Sequence, residues 1–117
     1  MSLTYDLLDT FAEFETIVFT VEMRDRAGAL LSPAGVTVTM VVSSDAARDV
    51  KVFEMTGSPQ VVNTTGSVWQ FKPSDANAAL MTPGTIYYYD VWSIDGTNGR
   101  LHQVDGKIRL KPAAREA

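Results

Sequence analysis

The sequence predicts an antiparallel all-β sandwich of about seven strands with one short helical crossover. Three observations carry this. Apolar residues recur two apart over most of the chain, which is the spacing of a half-buried strand and not of a helix. Val, Thr, Tyr and Trp concentrate in those alternating stretches, where their shapes suit a pleated surface. Gly, Pro, Asn and Asp interrupt the stretches at regular intervals, as turns do. A small barrel built from the same strands is the alternative.

The first strand is expected from Glu15 to Asp25. Ile17, Phe19, Val21 and Met23 fall on its inner face, and Thr16, Val18, Thr20, Glu22 and Arg24 on its outer face. Turns follow at Asp25–Ala29 and Pro33–Gly35, with Leu30 and Leu31 between them plugging one end of the core. Val36 to Ser43 alternates again, with Val36, Val38, Met40 and Val42 inward and Thr37, Thr39 and Ser43 outward. Ser44 to Asp49 is a polar connection before a shorter strand at Val50–Met55. Gln60–Asn63 and Ser67–Lys72 form a hairpin around Thr64-Thr65-Gly66, with Trp69 and Phe71 sharing a face.

Ser74 to Met81 is the one helix-like piece. Ser74 is its N-cap and Thr82-Pro83-Gly84 its stop. Thr85–Ile94 is the strongest strand, Asp95–Gly99 a hairpin loop and Arg100–Lys111 the returning strand, with a bulge expected at Asp105-Gly106. The order strand, helical crossover, tyrosine-rich strand, hairpin and last strand matches the E–F–G end of an immunoglobulin-like sandwich. Tyr87, Tyr88 and Tyr89 are all candidates for its corner tyrosine. The expected organisation is one sandwich domain over residues 1–111 and a mobile tail at 112–117.

Bulk properties remove several functions. At 117 residues the chain buries roughly two thirds of its unfolded surface and needs no metal or disulfide to fold. It has no cysteine, which excludes a disulfide framework, a thiolate metal site and a cysteine nucleophile. A net charge of −4 with scattered basic residues argues against a nucleic-acid partner. The N-terminus lacks the basic and apolar regions of a signal peptide, and no apolar run approaches the ~20 residues of a membrane span.

The search for chemistry yields little. His102 is the sole histidine, sits on a predicted strand and has no motif around it, so it reads as an ordinary strand residue and not a catalytic base. One histidine without cysteine makes a zinc site improbable, and no cofactor is expected. Asp95-Gly96-Thr97-Asn98-Gly99 has calcium-loop residue types, but the Glu required about a dozen positions along is Gly106, and the same residues make hairpin turns. Paired carboxylates remain open, because any two strands can bring acidic residues together. The aromatic cluster is the most informative feature. If Tyr87, Tyr89 and Val91 face the core, then Tyr88, Asp90 and Trp92 face out, and exposed Tyr and Trp mark protein interfaces or sugar-stacking platforms. Tyr88, Trp92 and Trp69 are therefore the candidate interface residues.

The run Ala79 to Val91, then Asp95-Gly96, then Val104-Asp105-Gly106-Lys107-Ile108-Arg109-Leu110 resembles small immunoglobulin-like domains of tailed-bacteriophage virion proteins, such as the N-terminal domain of the baseplate upper protein. The likeness extends more loosely to Phe19–Asp25 and Val36–Met40, spanning residues 14 to 111. It implies a structural, non-catalytic accessory of the tail, neck, baseplate or capsid surface, made in the host cytoplasm and carried in the virion. Its partners would be other virion proteins, with oligomerisation or ring formation on assembly. The chain has no receptor-binding or shaft region, so a whole baseplate protein is not implied. A carbohydrate- or cell-surface-binding module using Tyr88, Trp92 or Trp69, and a small enzyme, are the competing expectations.

Overall fold

The expected alternation resolves into two sheets in a computed structural model, which describes residues 3–13 and 15–113 and, for residues 3–8, the backbone alone. The strands are β1 (Leu3–Ala12), β2 (Phe19–Glu22), β3 (Thr37–Ser43), β4 (Lys51–Met55), β5 (Val61–Thr65), β6 (Val68–Phe71), β7 (Ile86–Asp95) and β8 (Gly99–Lys111), with a helical turn α1 (Asp75–Ala78) between β6 and β7. One sheet has the order β1-β8-β7-β3-β4 and the other β2-β6-β5. The order β8-β7-β3 facing β2-β6-β5 is that of the G-F-C and B-E-D strands of an immunoglobulin-like sandwich. The fold is thus an all-β sandwich, with α1 as the helical crossover between the two sheets.

The core lies between the sheets. Ile17, Phe19 and Met23 from the β2 region meet Val38, Met40 and Val42 of β3, and Tyr87, Tyr89 and Val91 of β7. Met23, Met40, Met55, Phe71 and Val91 are fully enclosed. Unbranched methionines suit this irregular interior, because their three rotatable bonds let them fill gaps between aromatic rings. Two tyrosine hydroxyls reach polar partners at the rim. The Thr82 N–H donates to Tyr87 Oη at 2.7 Å, a bond back to the chain just upstream of β7 that makes Tyr87 the corner tyrosine. Tyr89 Oη donates to Asp9 Oδ2 at 2.9 Å, linking β7 to β1 across β8.

Several expectations are corrected. β1 is an additional strand, and its pairing with β8 is parallel, so the sandwich is not wholly antiparallel. The bulge in β8 falls at Gln103 and not at Asp105-Gly106, because Trp92 pairs with His102 while Val91 pairs with Val104. The extra residue turns Gln103 inward. Its Nε2 donates to Arg24 O at 2.7 Å and Ser93 Oγ at 2.8 Å, and its Oε1 accepts from Arg24 N at 2.9 Å. One side chain thus supplies Arg24 with the backbone partners that a strand would supply. Gly106 has a different use. It pairs with Tyr89, whose ring lies over it, and a Cβ there would sit 2.6 Å from Tyr89 Oη.

Ser43 stays in step with Tyr88 on the outer face, as expected, yet it is buried there. Leu31 plugs the core as expected, but Leu30 is exposed. The β5–β6 loop is Gly66-Ser67, with Thr64 and Thr65 inside the strand. The helix is a single turn capped by Ser74, whose Oγ accepts from Asn77 N. The expected tail begins at Pro112, and residues 114–117 lie outside the described residues.

Candidate functional site

The outward face of the five-stranded sheet carries the site. On β7 the residues between the buried Tyr87, Tyr89, Val91 and Ser93 are Tyr88, Asp90 and Trp92, all half-buried. β8 contributes His102 opposite Trp92, Asp105 opposite Asp90 and Lys107 opposite Tyr88. The bulge at Gln103 sets these partners, because without the extra residue His102 would not share a face with Asp105.

A loop closes over one side of this row. Asp45 takes the backbone N–H groups of Asp49 and Val50 onto its carboxylate, and the Arg48 N–H donates to Asp45 O. The bond from Val50 above all holds the Asp45 carboxyl below its ordinary range. The tight turn puts Arg48 at φ 61°, a left-handed conformation that costs a non-glycine residue about 1–2 kcal/mol. In that conformation the guanidinium lies 5.0 Å from the Tyr88 ring centroid, and its Nε donates to Asp90 Oδ2 at 3.2 Å.

Asp90 is the hub. Its other oxygen, Oδ1, meets His102 Nε2 at 2.9 Å. That same Nε2 stands 3.8 Å from Asp105 Oδ2, beyond hydrogen-bonding distance. The His102 ring packs against Trp92 with centroids 4.8 Å apart, and the Arg100 guanidinium lies 4.9 Å from the Trp92 centroid. Asp90 and Asp105 are direct cross-strand partners, and like charges directly opposite on paired strands repel.

The three expected interface residues are thereby separated. Tyr88 and Trp92 lie on this face, each with an arginine over its ring. Trp69 does not: it is 4% exposed, in the core beside Phe71, and is no platform for a sugar or a partner. Its place in the core follows from its sharing a face with the buried Phe71. Arg48, Asp90, His102 and Asp105 were not named as site residues by the sequence reading. His102 is a strand residue without a local sequence motif, and the fold brings two carboxylates within 4 Å of it. The one signal for Arg48 is the polar Ser44–Asp49 connection, in which Asp45 can cap its own turn.

Other features are spoken for. In the β7–β8 hairpin Asp95 Oδ1 accepts from Asn98 N at 2.6 Å and Thr97 N at 2.8 Å, and these bonds lower the Asp95 carboxyl, Asn98 first. The carboxylate is committed to the turn, as expected of a hairpin loop and not of a calcium loop. A groove of about 390 Å³ between β1 and β2 passes over Asp9, Phe19, Tyr89 and Gln103, away from the Asp90 cluster. Among the described residues no serine or threonine hydroxyl bonds to His102.

Fold and site together define a β-sandwich domain with an arginine-, tyrosine- and tryptophan-bearing sheet face. Neither a protein-family model nor a curated protein matches the chain.

Proposed function

We propose that this chain is a non-catalytic structural component of a tailed-phage or prophage particle, docking on other particle proteins through the outer face of its five-stranded sheet. The observation that carries the docking reading is the composition of that face. Tyr88, Trp92, Arg48 and Arg100 stand together, and Tyr, Trp and Arg are the residues that dominate binding energy where proteins meet. Each ring is already engaged by a guanidinium, which rigidifies it for a flat contact but occupies a face that a stacked sugar would need. This favours a protein partner over a carbohydrate. The particle assignment rests on the sequence resemblance, and fold analogy adds only an associational argument.

The test is the copy number of this chain in density-purified particles, measured by quantitative mass spectrometry against the major capsid protein. A low, ring-like ratio supports a tail, neck or baseplate position, and hundreds of copies a capsid decoration. Recovery only from the soluble lysate overturns the particle reading. The docking face is tested separately by Trp92→Ala with Arg48→Ala, which should release the chain from particles while leaving it folded.

A further inference from the structure

We propose that Asp90, His102 and Asp105 form a three-ligand site for a divalent transition metal of the zinc type on the outer face of the β7–β8 ribbon. The inference goes beyond the docking role and does not depend on it. One ligand atom from each residue lies within 4.8 Å of the other two. His102 Nε2 is 2.9 Å from Asp90 Oδ1 and 3.8 Å from Asp105 Oδ2. A tetrahedral zinc ion with bonds of about 2.1 Å needs its ligand atoms about 3.4 Å apart, so the nitrogen is placed between the two carboxylates at close to the required spacing.

Three further observations favour a cation there. Asp90 and Asp105 are direct cross-strand partners, so two carboxylates share one rung of the sheet, an unfavourable pairing unless positive charge lies between them. The Asp105 carboxylate has no hydrogen bond among the described residues, its nearest cationic group being His102 Nε2 at 3.8 Å. The remaining groups hold the first two ligands in place. Arg48 bonds the Asp90 oxygen that faces away from His102, and the Trp92 ring packs on the imidazole, the kind of outer support that tunes metal sites. Imidazole nitrogen with carboxylate oxygen suits zinc and its neighbours better than calcium, which takes oxygen ligands alone. Binding would replace the hydrogen bond between Asp90 and His102 with two metal bonds and leave at least one coordination position to water or a donor from outside the chain.

The test uses the whole chain and Zn²⁺ alone. His102 is the single histidine, so side-chain ¹H–¹⁵N spectra report one imidazole. Titration is expected to move its Nε2 resonance and to saturate at one ion per chain by calorimetry. Asp105→Asn keeps the side-chain shape and should weaken binding about tenfold or more, as loss of a ligand or its support does. His102→Ala should abolish the saturable site, with circular dichroism checking the fold. An unmoved Nε2 resonance at millimolar Zn²⁺ overturns the proposal, and so does saturable binding that survives His102→Ala. Should His102→Ala disturb folding, the Asp105→Asn affinity decides, and an unchanged value there also overturns it.

Discussion

Trp69 and Trp92 are the two tryptophans of this chain, and they stand in opposite situations. Trp69 lies on β6 between Val21 of β2 and Asn63 of β5, with its ring in the core. Trp92 lies on β7 between Thr39 of β3 and His102 of β8, with its ring against an imidazole and a guanidinium on the outer face. Size and apolarity are the same in both. What differs is the phase of the neighbours: Trp69 is in step with Phe71, whereas Trp92 is in step with Asp90 and out of step with Tyr89 and Val91. An aromatic residue on a strand is thus assigned by the residues two positions away, and only then by its own character.

The largest test of that contrast is Trp69→Ala. It should cost about 3–5 kcal/mol, the usual penalty for removing a buried aromatic ring, read as a lower urea midpoint with an unchanged slope. Gly106→Ala comes next. Its new methyl group would strike the Tyr89 ring, and overpacking of this kind costs about 1–3 kcal/mol. Trp92→Ala should cost within about 1 kcal/mol, because it removes an exposed cation–π contact and a ring packing and no core volume. A loss equal to that of Trp69→Ala would break the comparison and make the outer face part of the folding core.

The smallest effect concerns acid. Asp45 and Asp95 both have folded-state values below the ordinary 3.8, so around pH 4 the unfolded chain binds more protons than the folded one. Their contribution is present above that pH and is lost as the pH falls through the lowered values. Urea midpoints should therefore drop on going from pH 5 to pH 2.5, and Asp95→Asn should shrink the drop.

Most of the fold was legible because it depends on nearest neighbours. The inner faces of β2, β3 and β7 follow from alternation alone, as does the outward position of Tyr88, Asp90 and Trp92. β1 was not, for a physical reason. It is an edge strand with a register shift between Thr4 and Leu8, and the stretch Leu3–Ala12 lacks a sustained period of two. The cluster was illegible for a related reason. Asp90 and Asp105 meet only through the β7–β8 register, and that register depends on a bulge whose position was misjudged. Glycine in a strand signals either a bulge or a close approach, and at Gly106 it was the close approach of the Tyr89 ring. Arg48 was hidden because a single left-handed residue in a loop aims it.

The parallel pairing of β1 with β8 has a mechanical consequence. The two strands run side by side in the same direction from Leu3 opposite Val104 to Ala12 opposite Lys111. Tension applied at the start of β1 and the end of β8 therefore pulls along the ladder in opposite senses and loads its hydrogen bonds in shear. The rungs then share the load and yield together, whereas an antiparallel pair pulled from its open end peels one rung at a time. Resistance to force is set by the unfolding barrier and not by equilibrium stability.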